Sequence, residues 1–281
     1  MVLGHEIAGV IASVGKNVTR VSVGDRVTVD AVIGCGVCDL CKLGRIQFCA
    51  KGFECGITSD GGSQDFLIVP EKNVYAIPDS MSFEEAAILD MEVYNAVEKC
   101  GINTNESVLV LGAGPIGLIA CQVARLLGAG RIILSDPLTD RLNAAEAIGM
   151  ADIYHLASED NIDNGRLGTS TMDVVIDCAG TAASTRQALD AVRPGGRVLL
   201  YGVYEHAIDQ FDMNQVVLKD LVIFGSQSDR TGWEKIIELV SSGALNLKVL
   251  ITHTFPLEDA PRAYELVGKH EAAAIKAVLQ L

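Results

Sequence analysis

The sequence predicts an α/β protein in which a doubly wound parallel sheet follows a smaller, antiparallel, barrel-like region. From residue 107 onward, six short apolar runs are mostly separated by stretches of helical periodicity, which is typical of a parallel sheet covered on both faces. Before residue 78, β-branched residues occur in short runs broken by glycine and turn residues, as in VSVGDRVTVDAVIG. That pattern indicates antiparallel strands.

Composition limits the function. The chain has 281 residues, and 49% of them are hydrophobic, so it can bury one large core or two ordinary ones. The formal net charge of −14 disfavours binding to nucleic acid or anionic lipid, and small molecules are the expected partners. No apolar run reaches the ~20 residues of a membrane span, and the opening lacks an export signal. We therefore expect a cytoplasmic protein without nucleic-acid or membrane partners.

The periodicity divides the chain into three regions: residues 1–90, residues 91–225 with the parallel sheet, and residues 226–281. Ser82 and Glu85 form a predicted capping box, so a helix should begin there and run toward Lys99. In the last region GWEKIIELVSSG predicts a helix, and weaker strand and helix signals follow at VLITHTF and DAPRAYELVG.

The segment GAGPIG, from Gly112 through Pro115 and Ile116 to Gly117, follows the apolar run VLVL and opens a predicted helix. The first glycine allows a tight turn, Gly114 lets the backbone approach a pyrophosphate, and the third glycine lets the helix pack close to the sheet. The helix N-terminus then faces the phosphates. This context predicts a Rossmann dinucleotide-binding site.

An acidic residue, Asp136, ends the next predicted strand about twenty residues further on, the distance expected for a ribose contact. Its carboxylate would accept hydrogen bonds from the adenosine ribose and repel a 2′-phosphate, which favours NAD over NADP. Arg141 is either a second ribose or adenine contact or a plain helix-surface residue. The alternative to the whole site is a glycine-rich packing turn with Asp136 as a solvated strand end.

Four of the eight cysteines form the pattern C-x2-C-x2-C-x7-C within a glycine-containing lobe at about residues 34–50. Four thiolates can enclose one tetrahedral zinc and leave no position open for substrate, so the predicted zinc is structural. An iron–sulfur cluster is the alternative, although the bacterial ferredoxin pattern has a shorter last gap followed by proline. The four predicted ligands are Cys35, Cys38, Cys41 and Cys49. The other four, expected to be small buried side chains, are Cys55, Cys100, Cys121 and Cys178.

The opening of the chain carries the pattern GHE-x2-G-x5-G-x2-V, which begins at Gly4. This pattern resembles the signature of zinc-containing alcohol dehydrogenases. Together with the cysteine lobe and the nucleotide site, it makes the chain similar to the zinc-dependent medium-chain dehydrogenase/reductase superfamily over nearly its whole length. The resemblance implies a GroES-like barrel domain in residues 1–90, a Rossmann domain in residues 91–225, and a return to the barrel domain in residues 226–281.

The resemblance also implies a catalytic zinc. Its ligands would be His5 and, after the lobe, Asp90, with Glu6 approaching the metal or supporting its shell. Glu92 is an alternative to Asp90, which could also be a plain helix residue. Members of the superfamily carry a further barrel segment ahead of the signature, including a cysteine ligand, and we expect this chain to lack it. Without that soft ligand, zinc should bind the catalytic site more weakly.

The activity that the resemblance implies is oxidation of a secondary alcohol or polyol to a ketone, with hydride transfer to the nicotinamide of NAD. Backbone near Cys178, Tyr201 and Val203 would line the nicotinamide path, and the protein would form dimers or tetramers. Two alternatives stay open: a catalytically inactive NAD-binding protein, and a zinc-free reductase of the same superfamily. The GHE segment and the four-cysteine lobe disfavour the zinc-free reductase.

Overall fold

The computed structural model describes residues 1–89, 91–157, 170–209, 211–227, 230–268 and 274–281. The chain divides into two compact units. The first unit comprises Met1–Glu92 together with Ser228–Leu281, and the second comprises Val93–Gln227. The chain thus leaves the first unit once and returns to it once.

Short antiparallel strands build the N-terminal part of the first unit. They are β1 (Ile7–Val10), β2 (Arg26–Val29), β3 (Val32–Ile33), β4 (Phe53–Glu54) and β5 (Val74–Ala76). One sheet has the order β1-β2-β5, with Ile7 opposite Val29 and Val27 opposite Ala76, while β3 pairs with β4. The valines of β2 are buried because this strand has a neighbour on both sides. A single helical turn, α1 (Asp39–Lys42), lies in the cysteine-rich segment.

The predicted capping box is confirmed at the start of α2 (Phe83–Ala87). The Ser82 hydroxyl accepts from the Glu85 amide, and the Glu85 carboxylate accepts from the Ser82 amide. The prediction of one helix from there to Lys99 is wrong, because α2 ends at Ala87 and a separate helix, α3, spans Met91–Lys99. One physical reason is that the Ala86 carbonyl accepts a hydrogen bond from the buried Thr28 hydroxyl (2.9 Å), outside the helix ladder.

The second unit contains the predicted six-stranded parallel sheet. Its strands are β6 (Ser107–Leu111), β7 (Arg131–Asp136), β8 (Ile153–Leu156), β9 (Met172–Asp177), β10 (Val192–Leu200) and β11 (Val222–Gly225). The helices between them are α4 (Pro115–Leu126), α5 (Thr139–Ala147), α6 (Ala182–Ala191) and α7 (Met213–Leu218). The central strands are fully buried, as their continuous apolar sequences require.

The strand order of this sheet is β11-β10-β9-β6-β7-β8. The first strand of the unit, β6, therefore lies between the second and the fourth, and the chain proceeds outward in opposite directions from β6 and from β9. This is the doubly wound Rossmann order, and its switch point lies between β6 and β9. In open α/β sheets, ligands bind outside the carboxyl ends of the strands at that point. The predicted fold class is confirmed.

The C-terminal part of the first unit contains α8 (Trp233–Ser241), β12 (Ile251–Pro256), α9 (Ala260–Gly268) and β13 (Lys276–Gln280). Strands β12 and β13 pair in parallel. Trp233 is 4% exposed and stacks on Tyr75 of β5, with 5.1 Å between ring centroids, so this region packs on the N-terminal strands. Within the described ranges, no helix has the length and apolar character needed to cross a membrane.

Candidate functional site

The glycine-rich segment joins β6 to α4 at the carboxyl edge of the sheet. Gly112 has a φ of +102°, and a Cβ at Gly117 would lie 1.8 Å from the Gly112 carbonyl oxygen, so both positions require glycine. A Cβ at Gly114 would meet no atom within 4 Å, which leaves the space before the helix open. Pro115 occupies the first turn of α4, followed by half-buried Ile116. The helix N-terminus is thus shaped to receive an anion.

Asp136 fixes this glycine segment to the end of β7. Its side chain is only 3% exposed, and its two carboxylate oxygens accept hydrogen bonds from the amides of Ala113 and Leu138, each at 2.8 Å. The Arg141 guanidinium lies 3.9 Å from the same carboxylate. The alternative of a solvated strand end is therefore wrong. Each carboxylate oxygen has a second lone pair, and the ribose contact stays a prediction.

The three residues expected along the nicotinamide path follow the ends of β9 and β10. The Cys178 amide donates to the Leu111 carbonyl, and the Tyr201 amide donates to the Asp177 carbonyl, both at 2.9 Å. Cys178 and Tyr201 are half-buried, whereas the Val203 side chain is 90% exposed. These backbone bonds hold both strand-end loops against the sheet.

Cys178 is less buried than predicted, while the other three single cysteines, Cys55, Cys100 and Cys121, are buried.

The sequence prediction missed Asp177, the last residue of β9, which is fully buried. Its Oδ1 accepts from the amides of Ala179 (3.0 Å) and Gly180 (3.2 Å). Its Oδ2 lies within hydrogen-bond distance of three hydroxyls, which belong to Ser184 (3.0 Å), Thr185 (3.2 Å) and Tyr204 (3.0 Å). Burial raises the pKa of Tyr204 to about 12, so its hydroxyl keeps its proton. The available signal was an acid between the apolar VVI and the small-residue CAG.

The four clustered cysteines meet in one place. Their Sγ atoms all lie within 4.8 Å of one another, with 3.9 Å between Cys35 and Cys41 and 3.8 Å between Cys38 and Cys49. Zinc–sulfur bonds of about 2.3 Å in a tetrahedron separate the sulfurs by about 3.8 Å. The cluster therefore fits a structural zinc. Among the residues that the structure describes, no other group of three or more His, Cys, Asp or Glu ligand atoms converges in this way.

Glycine and backbone contacts shape the lobe around its four thiols. A Cβ at Gly34 would lie 2.8 Å from the Cys41 sulfur, so glycine is needed there, and the Lys72 ammonium donates to the Gly34 carbonyl at 2.8 Å. Backbone amides from Val37 and Cys38 lower the pKa of Cys35 to about 6, whereas desolvation raises the pKa of Cys41 to about 11. Because zinc binds thiolates, metal binding at this cluster should release protons.

The residues expected to hold a catalytic zinc are less defined. His5 is exposed and lies two residues before β1. Glu6 is 39% exposed, and its Oε1 lies 2.5 Å from the Lys276 ammonium. Asp90 lies outside the described residues, so the structure gives no distance from it to His5 or Glu6. Their common role as zinc ligands stays a prediction.

Glu92, the alternative third ligand, is engaged in a buried ion-pair cluster. Its Oε1 lies 2.6 Å from Nη2 of Arg230, whose side chain is 9% exposed, and Nη1 of the same arginine lies 3.1 Å from Asp30. Burial raises the pKa of Asp30 to about 6, although Arg230 opposes this shift. A metal at Glu92 would compete with the arginine. The sequence prediction missed this cluster because its members are far apart in the chain.

Two family models match the chain. Residues 115–242 match the family described as zinc-binding dehydrogenase, and residues 1–79 match the alcohol dehydrogenase GroES-like domain. Among individual proteins, probable D-xylulose reductase A of Aspergillus fumigatus is 35% identical over 278 residues, which cover 95% of this chain and 77% of that protein. L-threonine 3-dehydrogenase of Bacillus licheniformis is 32% identical over 280 residues, covering 98% and 81%.

Solved structures show the same likeness. Alcohol dehydrogenase TADH from Thermus sp. ATN1 is 31% identical with a TM-score of 0.88, and the match covers 99% of this chain and 84% of that one. A short chain alcohol dehydrogenase from E. coli CFT073, complexed with NADH, is 30% identical with a TM-score of 0.89, covering 99% and 83%.

Proposed function

This chain belongs to the zinc-dependent medium-chain dehydrogenase/reductase superfamily, and we propose that it oxidises a secondary alcohol or polyol to a ketone with NAD as hydride acceptor. The observation that carries the proposal is the open glycine segment held by Asp136 at the switch-point edge of a Rossmann sheet. The relatives named for xylulose and threonine support a hydroxyl-bearing substrate. Membership of the dehydrogenase family makes the chain an oxidoreductase.

The second unit supplies the groups that would hold NAD. The N-terminus of α4 would face the pyrophosphate across Gly114, where the backbone presents no side chain. Asp136 would face the adenosine ribose, and its negative charge disfavours a 2′-phosphate. The loops after β9 and β10 would carry the nicotinamide. Bound there, NAD supplies the acceptor for hydride.

The first unit supplies the candidate metal ligands. The four-cysteine lobe would hold a structural zinc, since all four positions of a tetrahedron are filled by protein sulfur. His5 and Asp90 would hold a second zinc, which supplies a Lewis acid for the substrate hydroxyl. Glu6 has an acceptor oxygen near that segment, and the Lys276 ammonium holds it in place. Assembly into homo-oligomers and a cytoplasmic location are further parts of the proposal.

The substrate proposal is tested by following NADH absorbance with the purified chain. Substrates are D-xylulose with NADH in one direction, and L-threonine and a panel of polyols and secondary alcohols with NAD in the other. Turnover that requires zinc and prefers NAD over NADP supports the proposal. NADH binding without turnover on any of these substrates would support the inactive NAD-binding alternative instead.

The catalytic zinc is tested separately by elemental analysis of the purified chain and of His5→Ala. We expect a second zinc ion in addition to that of the lobe, bound more weakly than the first, and a fall to about one zinc ion per chain in the variant. The matched control is His253→Ala, since this histidine lies on β12 and bonds the Thr252 hydroxyl. One zinc that neither substitution changes would contradict the proposed catalytic ligands and leave the lobe assignment intact.

A further inference from the structure

Asp177 occupies the switch point of the Rossmann sheet. Its strand, β9, lies between β10 and β6, and in the register Asp177 stands opposite Leu200 on one side and Leu111 on the other. It is the last residue of its strand, so its side chain lies at the carboxyl edge where ligands bind to such sheets. A fully buried carboxylate there requires an explanation, because burying a charge without partners is costly.

The partners of this carboxylate come from three different segments. They are the loop after β9 (amides of 179 and 180), the first turn of α6 (hydroxyls of 184 and 185) and the loop after β10 (hydroxyl of 204). The backbone carbonyl of Asp177 adds two bonds to the loop after β10, from the amides of Tyr201 and Gly202, both at 2.9 Å. One residue thus fastens both strand-end loops and the helix between their strands.

The two fastened loops touch each other and the glycine segment. A Cβ at Gly202 would lie 2.2 Å from the Gly180 nitrogen, so these backbones are in direct contact. A Cβ at Gly112 would lie 3.3 Å from the Ala179 nitrogen. A shift of Asp177 would therefore move both loops, whereas Asp136 and the N-terminus of α4 are held by other bonds.

We propose that Asp177, acting through the Tyr204 hydroxyl, is a positioning residue that holds the loops after β9 and β10 in the arrangement that receives the nicotinamide half of NAD. The inference rests on the proposed function, since it takes NAD as the ligand. It predicts that the two halves of NAD depend on different residues. The nicotinamide half should depend on Asp177 and Tyr204, while the ADP-ribose half, bound by the glycine segment and Asp136, should not.

The test compares the affinities of NADH and ADP-ribose in the same variants. NADH binding is followed by its fluorescence, and ADP-ribose binding by calorimetry. In Tyr204→Phe the ring stays, and the hydrogen bonds of its hydroxyl with Asp177 and Thr185 are lost. We expect NADH to bind about tenfold more weakly, which corresponds to about 1.4 kcal/mol, and ADP-ribose affinity to change by less than about twofold. Asp177→Asn should give the same split or a larger one.

A second, milder variant keeps the test usable if Asp177→Asn does not fold. Thr185→Val is close to isosteric and removes a hydroxyl that lies 2.7 Å from the Tyr204 hydroxyl and 3.2 Å from Asp177. It should weaken NADH selectively, by less than Tyr204→Phe does. Its thermal melting curve shows whether the fold is kept.

The matched control is Asp173→Asn. Asp173 lies near the amino end of the same strand, at the end of the sheet opposite to Asp177. There its carboxylate accepts hydrogen bonds from Ser107 and Arg193. This variant should lower the melting temperature and leave the ratio of the two affinities within about twofold, because the hydrogen bonds it loses are structural.

The outcomes separate the two proposals. Wild-type protein that binds neither NADH nor ADP-ribose would overturn the proposed function. Wild-type protein that binds both with equal affinity, or variants at Asp177 and Tyr204 that weaken both ligands in parallel, would overturn the positioning role while the NAD site remains. A selective loss of NADH in the variants, and not in the control, is the result that establishes it.

Discussion

The two units hold their candidate ligand groups in different ways. In the second unit, Asp136 and Asp177 are almost completely buried, and every carboxylate oxygen accepts a hydrogen bond from within that unit. In the first unit, His5 is exposed, and Glu6 is 39% exposed with an ammonium group for a partner. The four-cysteine lobe is the exception in the first unit, because its four sulfurs lie together at tetrahedral spacing.

The difference shows which parts of the protein are preorganised. Sites built from a strand end and the turn that follows receive their geometry from backbone amides, which the sheet fixes. The candidate catalytic ligands come instead from distant stretches, so their arrangement depends on how the first unit is held together. Four predictions test this contrast.

The largest effect is expected from Cys41→Ser, which removes one predicted ligand of the four-cysteine lobe. Because bound zinc contributes to folding, the variant should lose one zinc per chain, and its melting temperature should fall by about 10 °C. Elemental analysis and calorimetry measure the two quantities. Cys55→Ala, a buried cysteine outside the cluster, should keep full metal content. An unchanged zinc content in Cys41→Ser would mean that the lobe does not hold zinc. The lobe would then be no better defined as a metal site than the GHE segment.

The second prediction compares two glycines of the same segment. Gly117→Ala places a Cβ 1.8 Å from a backbone oxygen, so it should lower the free energy of unfolding by about 3 kcal/mol and abolish NADH binding. Gly114→Ala meets nothing within 4 Å, so its stability should stay within about 0.5 kcal/mol of wild type. Its NADH affinity should nevertheless fall about tenfold, because the methyl group occupies the path of the pyrophosphate. Unchanged NADH affinity in Gly114→Ala would contradict a dinucleotide at this helix.

The third prediction concerns two carboxylates with opposite pKa shifts. Burial raises the pKa of Asp30 to about 6 in the first unit, so the folded state binds this proton more tightly than the unfolded chain, and stability falls as pH rises from about 4 to about 6. Hydrogen bonds from Ser107 and Arg193 outweigh desolvation and lower the pKa of Asp173 to about 2, so its contribution is present above about pH 4 and lost as pH falls through about 2.

Replacing either residue with asparagine should remove its own pH-dependent contribution, about 3 kcal/mol for Asp30 and about 2 kcal/mol for Asp173, from the free energy of unfolding measured by urea titration at several pH values. Asp30→Asn should therefore flatten the curve between about pH 4 and 6, and Asp173→Asn should flatten it between about pH 2 and 4. If the contributions of Asp30 and Asp173 to the free energy of unfolding changed with pH in the same direction, the opposite pKa shifts of the two carboxylates would be contradicted.

The smallest effect is expected from Lys276→Gln, which removes the partner of Glu6. Since this pair is partly exposed, the free energy of unfolding should fall by less than about 1 kcal/mol, and added salt should reduce even that difference. Chemical denaturation at low and high salt measures it. A loss above about 2 kcal/mol would mean that Glu6 is fixed as firmly as the carboxylates of the second unit.

Much of the fold could be predicted because its signals are local. The six strands of the parallel sheet are short apolar runs, and the capping box at Ser82 and Glu85 is a four-residue pattern. The cysteine lobe belongs to the same class, since its ligands lie within one loop. The single long helix after Ser82 was a wrong prediction because a local pattern does not contain Thr28, which bonds the Ala86 carbonyl from a distant strand.

The residues that sequence reasoning missed act across long separations. Asp177 collects hydroxyls from two later segments, and Arg230 joins Asp30 to Glu92. Nothing in the spacing of these residues predicts that they meet, because each pair is brought together only when the sheet or the first unit has formed. Asp136 was predicted in part. Its spacing from the glycine segment in the sequence indicated a ribose contact, but the spacing did not predict that its carboxylate would accept a hydrogen bond from the Ala113 amide.

The stacked pair of Trp233 and Tyr75 gives the protein a built-in optical reporter. Trp233 is the only tryptophan in the sequence, it is 4% exposed, and it belongs to the first unit. Its emission spectrum therefore follows the opening of that unit alone, whereas circular dichroism follows the helices of both. If the two signals change at different denaturant concentrations, the order in which the units lose structure can be read directly from the unlabelled protein.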